Sequence, residues 1–140
     1  MKKLYILFSL IAAVTFTACS KQDAAAPTET TTNLIASVNG QQQVPANNSM
    51  ATGSFTGTYT SSTRVLTYTV TYQGITPQSA HIHNSSGAVA IPFVNLASPI
   101  MGSLTLTNDQ ATDLLGNGMY VNIHSAAFPA GEIRGNIHKQ

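Results

Sequence analysis

The chain has 140 residues and a single cysteine, a length that supports one domain and not two. Hydrophobic residues make up 43%, enough for a core, while charged residues make up only 8% and the formal net charge is +1. Charge this sparse and balanced leaves no basic stripe for nucleic acid and no polybasic cluster for an anionic bilayer.

The first element is a leader. Lys2 and Lys3 precede an apolar run from Leu4 to Phe16, and small residues follow. That is the layout of a secretory signal peptide over residues 1–18. The run is shorter than the roughly 20 residues a membrane-spanning helix needs. Phe16-Thr17-Ala18-Cys19-Ser20 resembles the lipobox of bacterial lipoproteins, with Phe16 where that family usually has Leu. The resemblance implies a diacylglycerol thioether on Cys19 and cleavage before it. The alternative is ordinary signal cleavage that leaves Cys19 as a free thiol. Residues 19–32 then form the lipidated cysteine and a tether, because KQDAAAPTETTT has almost no large apolar side chain to offset the entropy of ordering. Beyond the leader the charges nearly cancel. From Asn33 onward, Arg64, Arg134 and Lys139 face Asp109, Asp113 and Glu132.

From residue 33 the pattern turns to period two. Leu34, Ala36 and Val38 share one face of a strand that ends at Gly40, and a polar loop with Pro45 follows. Residues 51–60 and 64–73 read as a β-hairpin across Ser61-Ser62-Thr63. The glycines of the first of these strands, Gly53 and Gly57, predict a bulge or a close backbone approach. Leu66, Tyr68, Val70 and Tyr72 form the apolar face of the second. Short strands are predicted at 79–83, 88–94 and 100–106, with Pro92 pointing to a sheet edge. Thr107 and Gln110 have the spacing of a capping box, so one helix starts there. Leu114 and Leu115 are expected to bury, and Gly116 to stop the helix. Strands at 119–124 and 132–138 close the chain around the turn Phe128-Pro129-Ala130-Gly131. About seven or eight short strands with one short helix predict an all-β antiparallel sandwich or barrel.

The order of these segments carries a resemblance. Ala80-His81-Ile82-His83 is followed by a glycine turn, then by Leu106-Thr107 and Asp113-Leu114-Leu115. Tyr120-Val121-Asn122-Ile123-His124 and Pro129-Ala130-Gly131-Glu132-Ile133-Arg134-Gly135 end the series. Over roughly Leu34 to Ile137 the chain resembles the CHRD domain, named after chordin and also present in bacterial secreted proteins. The resemblance implies an immunoglobulin-like β-barrel with a distant likeness to copper-zinc superoxide dismutases. It implies no established activity. The domain is taken as residues 33–140.

His81, His83 and His124 are the candidate chemistry. Alternation puts His81 and His83 on one face of their strand, opposite Ala80 and Ile82. Tyr120, Asn122 and His124 likewise oppose Met119, Val121 and Ile123. With the apolar sets in the core, the histidines are expected to face outward or into a groove. His-X-His on a strand offers two imidazoles on one side, and a third from a neighbouring strand completes a possible copper or zinc set. The plain alternative is hydrogen bonding to Asn122, to Tyr120 or to loop backbone. His138 is a possible fourth ligand, and Glu132 and Arg134 a possible surface pair.

Three functions remain open. The first is an extracytoplasmic, lipid-anchored binding or structural module of the cell envelope, on the outer membrane, facing a protein or envelope partner and without catalysis. The second is a copper- or zinc-binding module using His81, His83 and His124. The third, a dismutase-like oxidoreductase, would need a further bridging histidine and a zinc-binding loop. The chain has only four histidines. No Gly-X-Ser-X-Gly hydrolase motif is present either.

Overall fold

The structure is a computed structural model that describes residues 29–140. The leader, Cys19 and most of the tether lie outside the described residues, so the signal, lipidation and anchor expectations have no structural counterpart here. Among the described residues no helix is long and apolar enough to cross a membrane.

The strands are β1 (Thr31–Asn39), β2 (Thr52–Thr60), β3 (Val65–Gln73), β4 (Pro77–His83), β5 (Val89–Pro92), β6 (Ile100–Thr105), β7 (Tyr120–Ser125), β8 (Ile133–Asn136) and β9 (His138–Lys139). One helix, α1, spans Asn108–Leu115. The spatial order is β5-β4-β7-β8-β1-β2-β3-β6, with β9 against β1 and every pairing antiparallel. The expected all-β architecture with one short helix is therefore present. Its two halves, β5-β4-β7-β8 and β1-β2-β3-β6, join through one residue pair, Asn39 with Arg134. They share one core: Leu66 and Val70 from one half, and Ile82, Val121 and Ile133 from the other, are completely buried in a single cluster. The sheet curls over that core because each strand presents its apolar set to the same side.

Several boundaries shift for identifiable reasons. β1 starts at Thr31, because Thr31 and Thr32 pair with Thr60 and Tyr59, which draws the last two tether residues into the sheet. Gly53 and Gly57 make no bulge, since the register runs unbroken through β2. At Gly53 the backbone instead approaches so closely that an added Cβ would strike the Thr71 carbonyl. Pro92 does sit on an edge strand, paired with His81. The expected strand 132–138 breaks at the fully buried Ile137 into β8 and β9.

The helix starts as its capping box dictates. The Thr107 hydroxyl accepts from the Gln110 backbone N–H at 3.2 Å, and the Gln110 side chain accepts from the Thr107 N–H at 2.9 Å. Leu114 is fully buried, but Leu115 is only partly so. Gly116 has an ordinary negative φ, and the left-handed residue after the helix is Asn117 at φ 61°. Asparagine tolerates that conformation better than most residues, which is why the chain can turn there. The helix is also tied to the sheet. Gln110 donates to the Ala90 carbonyl on β5, and Asp113 accepts from the hydroxyl and the N–H of Ser85 in the β4–β5 turn.

Candidate metal centre

β4 and β7 pair so that His81 faces Asn122, His83 faces Tyr120 and Ser79 faces His124. Directly paired residues point to the same side of a sheet, so the register itself gathers the three histidines on one face. Their ring centroids lie 5.6 Å (His81–His83), 5.4 Å (His81–His124) and 6.4 Å (His83–His124) apart. One nitrogen from each lies within 4.8 Å of the others. His138 is not part of this group. It is exposed on β9 and bonds through Nδ1 to the Asn136 carbonyl.

Two rings have their tautomers set from behind. His83 Nδ1 meets the Gly87 carbonyl at 2.9 Å, and His124 Nδ1 meets the Pro129 carbonyl at 3.0 Å. A carbonyl can only accept, so each Nδ1 must carry the proton and each Nε2 is left with a lone pair. Those two Nε2 atoms and His81 Nδ1 are buried and have no hydrogen-bond partner. Three buried imidazole nitrogens without a protein partner on one face are costly unless a hydrogen-bond donor or a metal ion joins them. Burial, and then the like charges that His124 and His83 would carry, hold the His81 pKa below the usual imidazole value. That favours the neutral, ligating form. A metal about 2.0–2.1 Å from each nitrogen requires nitrogen separations of roughly 3.3–3.6 Å, which small side-chain rotations can reach from separations of at most 4.8 Å.

The face is partly enclosed, with His83 only 9% exposed and His81 and His124 half-buried. Loop residues pack on Asn122 beside them. Gln43, itself buried, donates to the Asn122 amide oxygen at 2.6 Å. Gly131 packs so closely on that pair that an added Cβ would lie 2.5–2.7 Å from the two amides. Tyr120 stacks on His83, with centroids 4.9 Å apart and planes 5° from parallel. The Arg134 guanidinium lies 3.6 Å from the Tyr120 ring centroid. Arg134 therefore does not pair with Glu132. Glu132 is buried and accepts from the hydroxyls of Ser49 and Ser125, which satisfies its carboxylate away from water.

His81, His83 and His124 were each visible in the sequence. The Gly87 and Pro129 carbonyls were not, because any residue supplies a carbonyl and only the folded turns aim it. Tyr120 and Asn122 were visible as face-mates of His124, but not as a stacking partner and a loop anchor.

No curated protein matches this sequence. The family model described as the CHRD domain matches residues 34–137, which runs from the first core residue of β1 to the buried Ile137 and encloses all three histidines. The chain belongs to the CHRD domain family.

Proposed function

We propose that this protein is an extracytoplasmic CHRD module of the cell envelope, anchored through a lipid on Cys19, that binds a copper or zinc ion through His81, His83 and His124. One observation carries the metal reading: three histidines from two strands each bring a ring nitrogen within 4.8 Å of the others, each ring has a buried nitrogen without a partner, and two rings are oriented by loop carbonyls. Neutral imidazole suits both copper and zinc. The module is a binder and not an enzyme. The Ser49 and Ser125 hydroxyls are spent on Glu132, and the imidazole Nδ1 atoms of His83 and His124 on carbonyls, so no serine–imidazole pair forms among them.

The test is thermal unfolding of the full chain with and without metal. A ligand at 100 times its Kd adds about 2.7 kcal/mol of stability. Copper or zinc should raise the melting temperature of the parent protein and leave that of a His81→Ala, His83→Ala, His124→Ala variant unmoved. An equal shift in both proteins, or none in the parent, overturns the metal reading. Labelled palmitate should enter the parent and not Cys19→Ser. A Cys19→Ser variant that still takes the label overturns the lipid anchor.

A second reading has its own support. The Gly87 and Pro129 bonds also pin two loops, which suits a purely structural or partner-binding envelope module. Under it, the triple variant loses stability without metal and shows no metal-dependent difference from the parent.

A further inference from the structure

We infer that the histidine site selects monovalent copper over divalent zinc and copper. The inference rests on the proposed metal site and concerns which ion that site holds. Imidazole alone serves zinc and copper alike, so the charge of the surroundings has to decide.

Among the described residues, the groups that bond to or stack on the three histidines are neutral. The ligand set is three imidazoles, with no carboxylate or thiolate among them. The groups behind the ligands are neutral as well: the Gly87 and Pro129 carbonyls hold His83 and His124. Zinc sites often have a carboxylate in that position, which offsets part of the second charge. Glu132 and Asp113 keep their charge but are not ligands, since Glu132 accepts from Ser49 and Ser125 and Asp113 from Ser85.

The surroundings also limit contact with water. One nitrogen of each ring is buried although His81 and His124 are themselves half-buried, and the cost of placing an ion in a less polar medium grows with the square of its charge. The charge nearest in the stacked column is positive. Arg134 lies on Tyr120, which lies on His83, through steps of 3.6 and 4.9 Å. That guanidinium repels a divalent ion twice as strongly as a monovalent one, whatever the effective dielectric. A neutral ligand set, neutral supports, burial of the available nitrogens and a cation in the column all favour a single positive charge. Three nitrogens are also a sufficient set for a three-coordinate ion.

The experiment measures three affinities on the full chain. Cu(I) is titrated anaerobically under ascorbate against a chromophoric Cu(I) chelator. Zn(II) and Cu(II) are titrated against dyes of known affinity. The parent should hold Cu(I) more tightly than either divalent ion. Arg134→Gln should raise the Zn(II) and Cu(II) affinities by roughly tenfold and the Cu(I) affinity by only about threefold, the square-root relation that charge scaling requires. Arg134→Lys keeps the charge and should stay near the parent. Circular dichroism and the melting temperature check that each variant is folded. A parent that prefers Zn(II) or Cu(II), or an Arg134→Gln effect that is absent or equal for all three ions, overturns the inference and leaves the metal site standing. Failure to bind any of the three ions overturns both.

Discussion

Replacing Gly131 with alanine should damage the fold and the site together. Gly131 has φ 124°, a conformation that residues with a Cβ rarely adopt, and forcing one there costs about 1–3 kcal/mol. The new methyl would also stand 2.5 Å from the Gln43 amide nitrogen and 2.6–2.7 Å from the Asn122 amide. Both amides are flexible ends, but they are buried and bonded to each other, so relief means breaking that bond at about 1 kcal/mol. Gly131→Ala should therefore lose roughly 2–4 kcal/mol, because the two costs add. For a domain of this size that is a fall in melting temperature of roughly 8–16 °C. Pro129, two residues earlier, supplies the carbonyl that orients His124, so metal affinity should fall by about tenfold, as when an outer support of a ligand is lost. Urea unfolding and metal titration on one preparation check both effects. A stability loss below about 1 kcal/mol would refute the account of Gly131 as a forced position. A full stability loss with unchanged metal affinity would refute the link from this loop to His124.

The remaining expectations are simpler. Thr107→Ala removes the acceptor of the α1 capping box and should cost about 1 kcal/mol in urea unfolding, while Thr107→Ser should cost much less. Leu114→Ala empties a fully buried position and should cost about 2–5 kcal/mol by the same assay. The metal-free protein should lose stability as the pH falls. His81 has a folded pKa below its unfolded value of about 6.5, so the unfolded chain binds more protons in the window between the two. The His81 contribution is full above that unfolded value and is lost as the pH drops below it. His81→Gln should flatten the fall in melting temperature between pH 7 and pH 5, and an unchanged slope would assign the effect to other groups.

The strands and the helix were legible because they obey short-range rules. The alternation of Leu66, Tyr68 and Val70 survives in β3 because one face of the sheet is buried, and a slip of one residue would expose them all. The Thr107 to Gln110 spacing located the start of α1 because both partners of a capping box lie within one turn. The helix also ends where expected, at Leu115 with Gly116 as its C-cap, but the geometry of the stop was not legible. Gly116 has the usual stopping identity, yet Asn117 takes the left-handed conformation, after the Gly116 and Asn117 N–H groups have bonded back to Thr112 and Leu114. Leu114 and Leu115 are equally apolar, and only the angle of the helix on the sheet decides that the first is buried and the second half-covered. The break at Ile137 is likewise tertiary. Its N–H is taken by the Met119 carbonyl and its side chain by the core, which no period-two pattern records.

The site divides along the same line. Alternation correctly placed His81, His83 and His124 opposite Ala80, Ile82, Val121 and Ile123, facing outward or into a groove, but it did not say what would cover that face. Here sequence-distant loops cover part of it: Gln43 comes from 79 residues before its partner Asn122, and the Gly131 turn fits only because it has no side chain. Covering that face changes the chemistry of the same three residues. An imidazole in water spends its second nitrogen on solvent at little cost. A buried nitrogen is costly without a partner, and no protein group of the described residues bonds to these three. The identity of the candidate ligands is therefore a property of two short strands, whereas their partial enclosure involves loop residues such as Gln43 and Gly131. This is also why the loop variant Gly131→Ala and the ligand variants should fail differently. The first should lose the enclosure and keep the nitrogens, and the second should keep the enclosure and lose them.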